Sequence, residues 1–349
     1  MCYGERFTIR IPAACEPHGR LIPLLTGTRA VGIMGSDEEP GRAQEVRFCG
    51  GCVPSGVGID CRDSFARLGV IKVHWECWSN CNLSCGFCYR SLGDALDEKD
   101  GSRLIAAIYS AGAKRIVFAG GDPSLRPDIA VLVRWAKVLG LRVEIQTNGH
   151  HVRSGFREAL LEADLIGLSL DGATAEAHDS FRSTRGNFHR VLELFDFLER
   201  QDIQVIVRTV VSRRNYDQVL ELGDELRRRK NLCRWSLLEF SPVGLGYHNL
   251  ERYRLSRSAF DELAQAAADR YGDDVRIDVY RLENKVGTYL LITPSGLVYG
   301  TAVSTVNGVY PPVGSILRDH LRDLADRTAF WAEQHQHRYA EVEARLDSR

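Results

Sequence analysis

From Ile71 to Phe240 the chain alternates short apolar, β-branched runs with amphipathic helical blocks, and that alternation leaves few folds open. The strand-like runs are Ile71 to Trp75, Arg115 to Ala119, Arg142 to Thr147, Leu165 to Leu170, Val205 to Val211 and Trp235 to Phe240. Helical periods fall near 102–111, 127–139, 155–163, 187–200 and 216–230. A helix between two strands carries the chain back to its starting end, so consecutive strands lie parallel in βαβ units. Six such strands predict an α/β fold built on a partial (β/α)6 parallel barrel, because closure needs two more.

The flanks read differently. Residues 1–70 hold Pro12, Pro17, Pro23, Pro40 and Pro54 among many glycines and sustain no period, which predicts an irregular N-terminal extension. Beyond Phe240, Ser256 to Tyr271 reads as a helix, Gly287 to Tyr299 as a β-hairpin around Pro294-Ser295-Gly296, and Thr328 to Leu346 as a terminal helix. The organisation expected is an extension over 1–70, a barrel over 71–240 and a small α+β substrate-capping region over 241–349. With 45 basic and 46 acidic residues, nothing in the charge favours a nucleic-acid partner. The densest basic run, Arg227 to Lys230, ends a predicted helix, where the macrodipole favours cations. No run of ~20 apolar residues offers a membrane span. Met1 to Pro12 is charged and lacks an apolar core, so a cytoplasmic setting with reduced thiols is expected.

In that setting ten cysteines stand out, and nine of them lie at or before Cys88. Clustered thiols in a reducing compartment bind metal or react more often than they pair. Cys81-Asn-Leu-Ser-Cys85-Gly-Phe-Cys88 follows the first strand, at the strand ends where parallel barrels carry their chemistry. Three thiolates there can hold three irons of a four-iron cluster and leave the fourth iron open to a ligand. A structural zinc, closed by Cys77, is the alternative. Cys49-Gly-Gly-Cys52 with Cys61, and Cys15 or His18 as a fourth ligand, makes a candidate second metal or cluster site. A loop-rich lid with unligated thiols is the other reading of that segment.

On the Cys-x-x-x-Cys-x-aromatic-Cys pattern, and on motifs that follow it in order, residues 72–240 resemble the radical S-adenosylmethionine (SAM) superfamily. Gly120-Gly121-Asp122-Pro123 is similar to the family's Gly-Gly-Glu-Pro turn, with Asp in place of Glu. Thr147-Asn148-Gly149 ends the third strand and Ser169-Leu-Asp171-Gly172 the fourth, with Arg182 following. The resemblance implies a [4Fe-4S] cluster on Cys81, Cys85 and Cys88. It also implies S-adenosylmethionine held by Gly120, Gly121 and Asp122 at its amino group. Ser169 and Asp171 would reach its ribose and methionine, Thr147 and Asn148 would belong to the same cofactor site, and Arg182 would pair with its carboxylate. A guanidinium suits that pairing because it is permanently charged and binds bidentately. Phe87 is expected over the cluster or the adenine, and a flavodoxin- or ferredoxin-type protein is the implied electron donor.

Two further stretches narrow the resemblance. Ile292-Thr-Pro-Ser-Gly-Leu-Val-Tyr-Gly300-Thr is similar to a segment that ends in cysteine and ligates extra clusters in many relatives, but no cysteine follows Cys233 here. Glu283 to Ile292 and Arg234-Trp235 are similar to the viperin-like branch, which dehydrates the ribose of nucleoside triphosphates. Where that branch places two triphosphate-binding lysines, this sequence has Ile206 and Ser236. A less charged nucleoside or sugar acid is therefore the expected small-molecule substrate, as in the cytosylglucuronate decarboxylases of antibiotic biosynthesis. Arg208 and Arg234 are expected to pair with its carboxylate, with surface salt bridges as the alternative. Cys233 is a candidate hydrogen donor, or else a small buried apolar residue. Epimerisation, peptide modification and a non-catalytic iron–sulfur protein stand as further alternatives.

Overall fold

The computed structural model describes strands β1 (Arg6–Thr8) and β2 (Arg47–Cys49), then residues 72–89, 93–301, 305–319 and 321–328, with Glu333, His335 and Tyr339. The two first strands pair antiparallel. Apart from these, the expected irregular extension lies outside the described residues, as does most of the expected terminal helix.

The expected strands all form. They are β3 (Lys72–Trp78), β4 (Arg115–Gly120), β5 (Arg142–Thr147), β6 (Leu165–Ser169), β7 (Val205–Val211) and β8 (Leu232–Glu239). They pair in parallel in chain order. Helices α1 (Glu98–Ser110), α2 (Ile129–Leu139), α3 (Ser154–Glu162), α4 (Ala175–Arg182), α5 (Asn187–Arg200) and α6 (Tyr216–Leu226) join them. The caps follow local chemistry. Asp97 accepts the Asp100 amide at the start of α1, Thr174 accepts that of Ala177 at the start of α4, and Gly140 ends α2 at φ 94°. The sheet is an open partial barrel.

Its edges depart from expectation. Alternation does not stop at Phe240, for a helix (Arg257–Tyr271) leads to β9 (Ile277–Tyr280), which lies parallel to β8. At the opposite edge β10 (Leu290–Ile292) lies parallel to β3 and turns into β11 (Leu297–Gly300), followed by β12 (Gly314–Ser315). The predicted hairpin is therefore present, but it extends the barrel sheet instead of standing apart as a cap. Four residues of β9 and three of β10 are too short to show a period.

Alternation along each strand separates two environments. Val73, Trp75, Ile116, Phe118, Val143, Ile145, Val207 and Trp235 face the helices and form the main core. The other face points into the barrel and is charged. Glu144 on β5 is fully buried there and takes Lys72 Nζ at 3.0 Å, Arg115 Nη1 at 3.2 Å and Arg208 Nη2 at 2.5 Å. Arg208 reaches it from β7 by crossing β6 at Gly167, where a Cβ would meet Arg208 Nε at 3.1 Å and Gln146 Cγ at 3.1 Å. Burial alone would raise the Glu144 carboxyl, but the three cations outweigh it and hold it well below the usual range.

Lys72 bears the opposite strain. Burial pulls its pKa from 10.5 down to about 7, although Glu144 works against the fall. Between those values the unfolded chain binds more protons than the folded one, so stability rises with pH. Cys77 acts in reverse above pH 9, because burial lifts its thiol to about 12. Urea midpoints should climb from pH 7 to pH 9, and Lys72→Met should flatten that climb. An equal slope in the variant would show that Lys72 does not sit in this environment.

Candidate active site

The loop after β3 carries Cys81, Cys85 and Cys88, and close backbone contact fixes where it lies. Gly121 N–H donates to Trp78 O at 2.6 Å and Asp122 N–H to Asn80 O at 2.9 Å. Gly120 has φ 123°, with a Cβ position 2.4 Å from Trp78 O, and a Cβ on Gly121 would stand 2.0 Å from Asn80 O. Only two glycines let the end of β4 run this close to the cysteine loop. The loop itself turns through Cys88 N–H to Cys85 O, 3.1 Å.

Asp122 is 1% exposed and ties two strand ends together. It accepts Ser124 N–H at 2.9 Å, Thr147 Oγ1–H at 3.0 Å and Asn148 N–H at 2.7 Å. No cation pairs with it among the described residues. Burial pushes its carboxyl above the usual range, and these hydrogen bonds offset that only in part. Asn148, 6% exposed, then donates to Cys81 Sγ at 3.5 Å and to Asn82 Oδ1 at 2.9 Å.

From Asn148 a hydrogen-bonded path runs to the second cysteine. Asn187 Nδ2 donates to Asn148 O at 3.0 Å, and Asn187 Oδ1 meets His178 Nε2 at 3.1 Å. His178 Nδ1 accepts the Asp171 amide at 3.1 Å, so Nε2 carries the proton. Burial lowers the His178 pKa and keeps the ring neutral, as this bond requires. Asp171 accepts Arg182 Nε at 2.6 Å and Val210 N–H at 2.8 Å. The Cys85 thiol donates to Arg182 O at 3.4 Å. His178, Asn187 and Asp171 are all 0% exposed. The sequence motifs pointed to Asp171 and Arg182 but not to His178 or Asn187. An i, i+4 spacing of His178 and Arg182 on one helix face was the available signal.

Arg182 makes its side-chain hydrogen bond through Nε, and among the described residues Nη1 and Nη2 make none. Burial would lower its pKa, but Asp171 and then Cys85 outweigh that, and it stays above the ordinary value. Phe87 stacks on Phe181 at 4.4 Å, meets Tyr253 edge-on at 5.7 Å and lies 5.4 Å from the Arg182 guanidinium. With Leu83, Cys85 and Phe240 they form a second apolar cluster. Phe87 therefore anchors the loop to α4. Ser169 ends β6 half-buried.

The expected substrate arginines are interior, not surface, residues. Arg208 is held by Glu144, and Arg234, 6% exposed, donates to Asp278 at 2.7 Å. Cys233 lies at an irregularity at the start of β8. Six residues of strand, about 20 Å, separate it from the end carrying the chemistry. Cys233 is a partly buried thiol that burial holds above its usual pKa. Cys77 belongs to the helix-facing core and donates to Ala119 O at 3.4 Å, so it does not close a zinc site with the loop. Among the described residues no three Cys, His, Asp or Glu converge on one metal ion. Cys15, Cys52 and Cys61 lie outside the described residues, and only the backbone of Cys49 is described. The expected second metal falls there.

Residues 75–226 match the Radical SAM superfamily. The chain carries a radical SAM domain. An "AdoMet-dependent heme synthase" of Methanosarcina barkeri is 32% identical over 181 residues, which are 50% of this chain and 52% of that protein. The chain thus spans about half the length of that relative. An "S-adenosylmethionine-dependent nucleotide dehydratase" of Flammeovirga pacifica is 23% identical over 278 residues, 75% of this chain and 90% of that protein. Streptococcus suis SuiB bound to precursor peptide SuiA shares the fold with TM-score 0.62 at 18% identity, over 74% of this chain and 64% of that one.

The radical SAM domain implies a [4Fe-4S] cluster and S-adenosylmethionine, and the residues present fit both. Three thiols on one pinned loop are the soft donors iron–sulfur clusters take. Burial pushes the Cys85 thiol up to about 11, so a cation must replace its proton for a thiolate to persist. Asp122 is a buried carboxylate without a cation, and Arg182 a buried cation with an unengaged edge. Together they suit the two charged ends of an amino acid.

Gly121→Ala should cut iron uptake on anaerobic reconstitution well below about four per chain and lower Tm by several degrees. Gly155→Ala, in helix α3 where a Cβ meets nothing within 4 Å, should leave iron uptake unchanged and should not lower Tm. Full iron loading of Gly121→Ala would refute the contact between Gly121 and Asn80.

Proposed function

We propose that this chain is a radical SAM enzyme acting on a nucleoside or sugar acid, with decarboxylation of cytosylglucuronic acid as the leading form of the reaction. The observation that carries it is the hydrogen-bonded path joining Cys81 and Cys85 through Asn148, Asn187, His178, Asp171 and Arg182. Cys81, Cys85 and Cys88 would hold the cluster, which with S-adenosylmethionine supplies one-electron sulfonium cleavage and a radical that takes hydrogen from carbon.

The chain's own residues then bind, orient and exclude water. Asp122 receives the ammonium of the methionine moiety and Arg182 its carboxylate, each fixed by neighbours before the ligand arrives. Ser169 ends β6, two residues before Asp171. Leu83, Phe87, Phe181, Phe240 and Tyr253 keep water from one flank of the cysteine loop. The barrel interior, with Arg208 at its centre, receives the substrate. A flavodoxin- or ferredoxin-type protein would deliver the electron.

Nucleotide dehydration is the second reading, favoured by the match over 90% of the Flammeovirga pacifica dehydratase. Against a triphosphate, Ile206 and Ser236 offer no charge where the viperin-like branch has lysines.

Reconstituted, reduced protein given S-adenosylmethionine should form deoxyadenosine, and Cys85→Ala should abolish it. Carbon dioxide from cytosylglucuronic acid supports decarboxylation, and a dehydrated nucleotide supports the second reading. An intact cluster that yields no deoxyadenosine would refute the enzyme.

A further inference from the structure

Inside the barrel, cross-strand register sets four polar residues side by side: Ser169 pairs with Arg208, Arg208 with Ser236, and Ser236 with Asp278. Ser236 is 0% exposed, and among the described residues its Oγ has no hydrogen-bond partner. Arg208 Nε is also buried without a partner among the described residues. Orphaned buried polar atoms of this kind mark where water or a ligand group belongs. Glu144 does not satisfy Arg208 alone, since the same carboxylate serves Lys72 and Arg115. Asp278, in contrast, is taken up by Arg234 and Arg276.

We propose that Arg208 and Ser236 form an oxyanion subsite inside the barrel that binds the carboxylate or phosphate of the substrate. Glu144 and Gly167 act as positioning residues. Gly167 leaves the slot through which Arg208 crosses β6, and Glu144 fixes one edge of the guanidinium so that the rest meets the anion beside the Ser236 hydroxyl. A permanently charged fork with a neighbouring hydroxyl reads an oxyanion by charge-assisted hydrogen bonds. The same site rejects the neutral analogue, which leaves buried polar groups unpaired. The subsite rests on the substrate class proposed above, and it separates a sugar acid from a nucleotide.

Equilibrium dialysis with the reconstituted full chain tests it, using cytosylglucuronic acid, its neutral methyl ester and cytidine monophosphate. Deoxyadenosine formation is measured on the same samples, so a failed radical reading shows there and a failed subsite shows in binding. The acid should bind at least ~10-fold tighter than the ester. Arg208→Met should erase that difference, and Ser236→Ala should reduce it. Gly167→Ala should reduce it too, though residue 167 touches no ligand. Should Arg208→Met fail to fold, the Ser236 and Gly167 variants carry the test. Preference for the monophosphate supports the subsite and assigns it to phosphate. Equal binding of acid and ester, no binding of any probe, or a preference that survives these variants would overturn it.

Discussion

The site depends on one neutral, buried imidazole. His178 accepts the Asp171 amide with one nitrogen and donates to Asn187 with the other, so a single ring ties the two together. Remove it and the turn carrying Asp171 loses its register with α4, and Arg182 with it. Gly172 shows how tight the fit is, since a Cβ there would stand 2.8 Å from His178 N. Burial lowers the pKa of the ring, which favours the neutral form these two hydrogen bonds use. The consequence reaches both cysteines at the ends of the path. Asn148 touches Cys81 and the Arg182 carbonyl touches Cys85, so the path ties both cysteines to the arginine.

A second constraint acts inside the barrel. Closed eight-stranded barrels fill their interior with layers of branched apolar side chains. Here Lys72, Glu144 and Arg208 occupy it instead, and a buried ion pair is weak evidence for stability because desolvation offsets attraction. Its value lies in geometry. These charges keep the interior of the open sheet polar.

Much of this was legible where chemistry demands a residue type. Gly120 and Gly121 are required by close approach, and Cys81, Cys85 and Cys88 by the donor set. The six parallel strands followed from periodicity. What escaped were residues whose role depends on distant neighbours. His178 and Asn187 look like ordinary helix residues until α4 and α5 pack. The packing of Phe87 on Phe181 and Tyr253 shows only once α4 and the later chain are in place. Lys72 and Glu144 look like the solvent face of an alternating strand, yet helices cover one face of a barrel strand and the lumen the other. Charges at alternate positions in such strands can only point inward, and that signal was present in Lys72-Val-His74-Trp-Glu76 and in Glu144.

Asp122 shows how a departure from a family pattern can be read physically. The shorter side chain in place of glutamate draws the carboxylate back against the backbone, where it caps the turn at Pro123 and holds Thr147 and Asn148. Three donors occupy a group that can accept about four bonds. The remaining place lies on a buried negative charge with no cation among the described residues, and burial already pushes that carboxyl toward protonation. An incoming ammonium relieves that penalty, whereas a neutral donor does not. The substitution therefore keeps the selectivity for a positive group and adds a tie between β4 and β5. Asp122 also holds the Asn148 amide 2.7 Å away, and Asn148 contacts Cys81. Ligand binding at Asp122 and the placement of Cys81 are thereby coupled through two hydrogen bonds.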